Sequence, residues 1–113
     1  MPNPSKIKGS KFERDCVNKA KELDLKAIRA WGSDGRSLGL SEDVDMILEN
    51  LHVQCKIRKK LAKWVLPPKS CNIAIVREDR GETYVTIEYG EFLSMLRTIK
   101  LARDLVSKVD GIE

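Results

Sequence analysis

A hairpin predicted over residues 43–57 constrains the fold more than any other feature of this sequence. Strand-forming residues flank Glu49-Asn50, a pair that suits a tight two-residue turn. In that register the numbers of facing residues sum to 99, which sets Asp45 opposite Gln54. Because side chains alternate along a strand, one face of the hairpin is apolar and the other is polar. The polar face is predicted to carry Asp43, Asp45, Gln54 and Lys56.

The rest of the chain predicts a mixed α/β fold. We expect helices over 10–24, 58–66 and 91–109, strands over 26–31, 72–77 and 83–89, and a flexible loop over 32–41. The strand over 72–77 is apolar on both faces, which is typical of a central strand. The expected architecture is a single α/β domain over 1–113, with a small mixed central sheet flanked by helices.

Charge is distributed unevenly along the 113 residues, whose formal net charge is +4. Seven Lys or Arg and no acid lie between Asn50 and Arg77, whereas eight acids and five bases follow that stretch. This pattern indicates a basic face for a polyanion, although a solvated charge cluster is the alternative. No stretch approaches the ~20 apolar residues of a membrane helix, and no signal peptide is recognisable, so we expect a cytoplasmic protein.

The predicted polar face suits metal-assisted hydrolysis of a phosphodiester. Asp45 offers a carboxylate and Gln54 an amide oxygen, which are ligands that Mg²⁺ accepts, and Lys56 can neutralise phosphate charge. Glu13 on the first predicted helix is the candidate for a further acid. Two alternatives stay open: Ser10 and Glu13 form a capping-box pattern, and Asp45 with Gln54 is also an ordinary polar pair.

These residues resemble the archaeal-type Holliday junction resolvases, within the PD-(D/E)xK nuclease superfamily. Five segments match in order, and together they span about residues 6–63. They are Lys8-Gly9-Ser10 with Glu13-Arg14, Arg29-Ala30-Trp31-Gly32-Ser33, Val44-Asp45-Met46-Ile47, Gln54-Cys55-Lys56 and Arg58-Lys59-Lys60. The resemblance implies a restriction-endonuclease-like fold and a homodimer that nicks two opposed strands of a four-way DNA junction.

The resemblance also implies roles for individual residues. Glu13, Asp45 and Gln54 would hold Mg²⁺, for which Mn²⁺ would substitute, and Lys56 would assist catalysis. Ser33 would lie near the scissile phosphate, and Arg29 would contact the DNA backbone. Gln54 stands where most members have Glu, and Val44 replaces the proline of the motif. The loss of one carboxylate should weaken Mg²⁺ binding.

Further DNA contacts are expected from basic residues outside the hairpin. They are Lys6, Lys8, Arg14, Arg36, Arg58, Lys59, Lys60 and Lys63. Trp31 and Trp64 suit base stacking at a junction, but core or interface packing is the more common use of tryptophan. The apolar stripe of the last helix is more typical of a core than of a dimer contact; it comprises Phe92, Leu96, Ile99, Val106 and Val109.

The sequence leaves other function classes open. One is a related PD-(D/E)xK nuclease that acts on other DNA in repair or restriction. Another is a DNA-binding homologue without catalysis, and a third is an α/β interaction module whose charges are only surface. We expect branched DNA and a second copy of the chain as partners, with no membrane and no small-molecule substrate; for a phage-encoded protein the compartment would be the host cytoplasm.

Overall fold

The structure is a computed structural model that describes residues 3–111, with Ser33 described by its backbone alone. The chain divides into two compact units, residues 1–57 and 58–113. The fold is mixed α/β, and the described residues form two α-helices and two small antiparallel sheets. The single domain over 1–113 stays a prediction.

Helix α1 of the first unit spans Pro4–Glu22 and starts six residues before the predicted helix. Asn3 caps it, because Asn3 Oδ1 accepts a hydrogen bond from Ser5 N at 2.9 Å and Pro4 occupies the first helical position. The prediction that Ser10 caps this helix is therefore wrong. The buried face of α1 carries Glu13, Val17 and Ala20 at helical spacing.

The first unit also contains a three-stranded antiparallel sheet of order β1-β2-β3. The strands are β1 (Ala27–Arg29), β2 (Met46–Leu48) and β3 (Leu51–Val53). Met46 faces Val53 and Leu48 faces Leu51, which confirms the predicted register within the strands. The turn residues have φ of 50° and 84°, the left-handed values of a hairpin turn that matches strand twist.

A contact with the start of β1 holds this turn in place. The carboxylate of Glu49 accepts from Lys26 N at 2.6 Å, and Glu49 N donates to Lys26 O at 2.9 Å. The buried apolar residues of the unit come from α1, the sheet and their connections. They are Val17, Ala20, Leu25, Ala27, Ala30, Val44, Met46 and Leu48.

The second unit contains a β-hairpin and a long helix. The hairpin pairs β4 (Ile73–Arg77) with β5 (Thr83–Ile87), and α2 spans Tyr89–Asp110. These three elements lie where the sequence predicts them. The prediction of a central strand is wrong, because β4 pairs with β5 alone and its Ile73 and Ile75 side chains are exposed.

The prediction of a basic helix over 58–66 is also wrong. Only the single 3₁₀ turn Lys63–Val65 forms there. Nine residues are too few to form a stable helix without packing, and the lysines at 59 and 63 repel at i, i+4 spacing. The sheets are consequently joined by irregular chain instead of a helical crossover.

The apolar stripe of α2 is only partly buried. Leu93 is buried, and Phe92 and Leu96 are half-buried. Ile99, Val106 and Val109 are exposed, so core packing is the wrong interpretation for these three residues. A helix of 22 residues is about 33 Å long, whereas a strand of five residues covers about 17 Å. The helix is thus about twice as long as either strand of the hairpin.

Candidate active site around Asp45

Asp45 links all three strands of the first sheet, although it lies one residue before β2. Its carbonyl oxygen accepts from Ala30 N at 2.8 Å, next to β1. Its own N–H donates to Val53 O at 2.8 Å, and its Oδ2 accepts from Cys55 N at 2.7 Å. Only 9% of the residue is exposed. Both the position and the orientation of the carboxylate are therefore set by the backbone of its neighbours.

The register of the hairpin shifts by one residue at Asp45. Met46 is the pairing partner of Val53, yet Asp45 N also donates to Val53 O. Two successive residues facing one partner form a β-bulge, a device that re-aims a side chain. The prediction that Asp45 faces Gln54 is therefore wrong. Asp45 is buried, whereas Asp43, Gln54 and Lys56 are exposed, so the four residues of the predicted polar face differ in their access to water.

Glu13 is the second buried acid of this unit, with 4% of the residue exposed. Its Oε2 lies 3.4 Å from Arg29 Nε, and Arg29 Nη2 donates to Ser10 Oγ at 3.0 Å. Ser10 and Glu13 thus share an arginine on β1 and do not form a capping box, since α1 starts at Pro4. The alternative that assigned Glu13 to the helix terminus is wrong.

The two acids both act on the pKa of the Cys55 thiol. Burial, followed by the Cys16 thiol and the negative charges of Asp45 and Glu13, raises the pKa of Cys55 to about 12. Burial also raises the pKa of Cys16, which forms a side-chain hydrogen bond with Cys55. Sequence reasoning missed this pair. The spacing of Cys16 from Glu13, one helical turn, was the available signal.

The segment after β1 is built of short turns where a flexible loop was expected. Two 3₁₀ helices span Trp31–Ser33 and Gly35–Leu38. Trp31 N donates to Ser37 Oγ at 3.0 Å. Arg36 Nη2 donates to Asp34 Oδ2 at 2.6 Å, and this pairing lowers the pKa of the Asp34 carboxyl. The predicted role of Ser33 concerns a side chain outside the described part of the chain.

Gly35 fixes this segment against the residue that precedes Asp45. A Cβ atom on Gly35 would lie 2.8 Å from Val44 Cβ and 3.0 Å from Val44 O, and it would clash with Ser41 O. Only glycine allows so close an approach. The segment 31–38 and Asp45 are therefore positioned by the same contact.

The predicted DNA-contacting residues differ in their surroundings. Arg29 is 27% exposed and bonded to Glu13, and Arg36 is paired with Asp34. The others are exposed: Lys6, Lys8 and Arg14 on α1, and Arg58, Lys59, Lys60 and Lys63 in the second unit. Trp31 and Trp64 are exposed too, so burial in a core is the wrong interpretation for both.

Neither a metal cluster nor a membrane segment is found in the part of the chain that the structure describes. Within residues 3–111, no three His, Cys, Asp or Glu side chains are grouped so as to hold a metal ion. No helix in the same range is long and apolar enough to cross a membrane. Comparison with known proteins finds no matching family model, no matching curated protein and no matching solved structure.

Proposed function

We propose that this chain is a structure-specific endodeoxyribonuclease that cleaves four-way DNA junctions by Mg²⁺-dependent phosphodiester hydrolysis. The observation that carries the proposal is the pair of buried carboxylates in the first unit, Glu13 and Asp45, the second of which accepts a hydrogen bond from Cys55 N. Cys55 lies between Gln54 and Lys56 at the end of the hairpin. An acid on the first helix, an acid just before the second strand and a Lys after the third strand support a restriction-endonuclease-like fold for the residues that would cut DNA.

The donor chemistry of these residues fits Mg²⁺, with Mn²⁺ as a substitute. Glu13, Asp45 and Gln54 would hold the cation, which takes one or two carboxylates in proteins and keeps several waters. When bound, the cation supplies a more acidic water and polarises the phosphate. Two carboxylates and one neutral amide give this site one charge fewer than a site with three acids, so we expect weak metal binding.

The chain itself orients the groups that would act on the phosphate. The hydrogen bond from Cys55 N holds Asp45 Oδ2 in place, and Arg29 holds Glu13 Oε2. Lys56 is exposed, so its ammonium group is accessible to a phosphate oxygen. There it would neutralise the negative charge that develops in the transition state.

A homodimer is part of the proposal, because a junction has two strands to cut. Exposed apolar residues on the C-terminal half of α2 support it; they are Leu101, Leu105, Val106 and Val109. Apolar surface of this kind marks protein contacts when it is contiguous. Sedimentation of the purified chain over a concentration series tests the dimer directly.

The test of the proposed function is cleavage of a labelled four-way junction with and without Mg²⁺. Asp45→Asn should reduce cleavage by more than about a hundredfold, because the amide lacks the charge that binds the metal. The amide oxygen can still accept from Cys55 N, so the fold and metal-free junction binding should be retained. The matched control is Asp43→Asn, which removes the same charge from an exposed position two residues away. Full cleavage by the Asp45 variant would contradict the proposal.

A second candidate is a junction-binding protein without catalysis. The observation that favours it is the charge balance, since Arg29 already compensates Glu13 and Gln54 is neutral. This candidate predicts that the wild-type protein binds the junction in a salt-sensitive way and does not cleave it in Mg²⁺ or Mn²⁺. Competition between four-way, forked and linear DNA separates both candidates from a nuclease that acts on other DNA.

A further inference from the structure

Trp31 is the most exposed large apolar residue described in the first unit, with 84% of its surface accessible. An aromatic ring that is accessible from solvent offers a flat face on which a planar group such as a nucleic-acid base can stack. Its immediate neighbour Gly32 has no side chain, and Arg36 and Ser37 in the same segment are exposed and polar. These chain neighbours are small or polar, which differs from the apolar core of a protein interface.

The backbone that carries this ring is fixed at several points. Trp31 N donates to Ser37 Oγ, and Ser37 Oγ donates to Asp34 O at 3.1 Å. Gly35, in the same segment, packs against Val44. A backbone that is already ordered loses little conformational entropy when a ligand stacks on the ring that it carries.

The residue that carries the ring also follows directly after a residue that contacts Asp45. Ala30, the residue before Trp31, donates its N–H to Asp45 O at 2.8 Å. A DNA strand whose phosphate reaches Asp45 would therefore bring a nearby base to Trp31. A base that is stacked and paired within a duplex has no free face to offer, whereas a base at a branch point can.

We propose that Trp31 is a base-stacking residue that makes this protein select DNA with an unstacked base next to the strand bound at Asp45. The inference rests on the proposed function for the identity of the ligand as DNA. Stacking of one base on an aromatic side chain changes affinity by roughly 5- to 150-fold. The contribution does not involve a phosphate, so it is independent of salt.

The test uses the whole 113-residue chain in EDTA, where cleavage is blocked and binding alone is measured. Trp64→Phe leaves Trp31 as the only tryptophan, because the chain has two. In this background, a four-way junction and a single-stranded oligonucleotide should quench the tryptophan fluorescence, and a blunt duplex of the same length should not. Trp31→Ala, made in the wild-type chain, should weaken junction binding within the range given above. Its duplex binding and the salt dependence of its affinity should be unchanged. Trp31→Phe should lose less affinity for the junction, because it keeps an aromatic ring.

The outcomes separate this inference from the proposed function. Equal affinity of the wild-type and Trp31→Ala proteins for the junction, or an equal loss on junction and duplex, overturns the stacking role while leaving cleavage intact. A Trp31→Ala protein that changes its sedimentation but not its DNA affinity would assign the ring to a protein contact and also overturns it. Wild-type protein that binds no DNA at all overturns both proposals.

Discussion

At the scale of single residues, the contact between Glu13 and Arg29 is the most consequential ion pair described. Glu13 is nearly inaccessible to water, and a buried carboxylate is costly unless a cation compensates it. The guanidinium of Arg29 supplies that charge and also reaches Ser10. The pair therefore stabilises the packing of α1 on the sheet. The DNA contact predicted for Arg29 would be an additional role of that residue.

Replacing Arg29 with Met should lower the free energy of unfolding by about 2–3 kcal/mol, because it removes a cationic partner from a buried acid. The double variant Glu13→Gln with Arg29→Met should regain most of this loss. Urea denaturation of the wild type, the Arg29→Met variant and the double variant measures both free-energy changes. The matched control is Lys11→Met, which breaks the exposed pair with Asp15 and should cost less than about 0.5 kcal/mol. Equal losses of unfolding free energy in Arg29→Met and Lys11→Met would contradict a stabilising role for the buried pair.

The neutral side chain of Gln54 gives a second prediction at this scale. Gln54→Glu should lower the Mg²⁺ concentration needed for half-maximal cleavage roughly five- to tenfold, because a third carboxylate attracts the cation. Calorimetric titration with Mg²⁺ or Mn²⁺ reads the same change without cleavage. His52→Glu is the control for a charge added on a neighbouring exposed residue and should have a smaller effect. A higher Mg²⁺ requirement in the Gln54 variant would argue against a ligand at this position.

At the scale of elements, Gly35 determines whether the segment 31–38 can pack beside Asp45. Gly35→Ala should lower the free energy of unfolding by about 1–3 kcal/mol, since its Cβ overlaps Ser41 and Val44. Gly9→Ala is the matched control: its Cβ meets nothing within 4 Å in α1, so it should stabilise the helix by about 0.5–1 kcal/mol. Thermal and urea denaturation compare the two. Similar effects of both changes would mean that the close approach at Gly35 is not required.

The elements also show which patterns were informative in the sequence. The turn at 49–50 and the register of β2 with β3 were predictable, because alternation and turn chemistry act over a few residues. The bulge at Asp45 was not predictable. A bulge changes how two strands pair, and the alternation of apolar and polar residues in each strand's sequence does not show it. The start of α1 was misplaced because Ser10 imitates a cap, although Asn3-Pro4 is the stronger signal.

At the scale of the whole molecule, the pairing of β4 and β5 into a separate sheet could not be read from the sequence. The apolar run over 73–77 is typical of a buried central strand, yet the chain between the sheets contains a single 3₁₀ turn and no α-helix to return it in parallel. Which strands join one sheet depends on contacts distant in sequence. Composition alone does not specify them. Mixed α/β was predictable, and the finer architecture was not.

The charge distribution gives a prediction at the same scale. Changing Arg58, Lys59, Lys60 and Lys63 to Gln should reduce the slope of log affinity against log salt by up to about 3.6, since each phosphate contact contributes about 0.9. The same exchange at Arg97, Lys100, Arg103 and Lys108 removes an equal charge from α2 and should leave the slope unchanged. Junction binding across a salt series measures both. An equal change in the two variants would mean that the basic segment acts only through net charge.

The hydrogen bonds of Asp45 have a consequence for how this protein can evolve. Three strands depend on its backbone and its carboxylate, so selection for folding alone would retain an acceptor at this position even in a descendant that no longer cuts DNA. Gln54 and Lys56 are exposed and free of that structural constraint. Among homologues, therefore, drift at 54 and 56 would mark the loss of the chemistry, whereas an unchanged residue 45 would indicate only that the sheet is still built the same way.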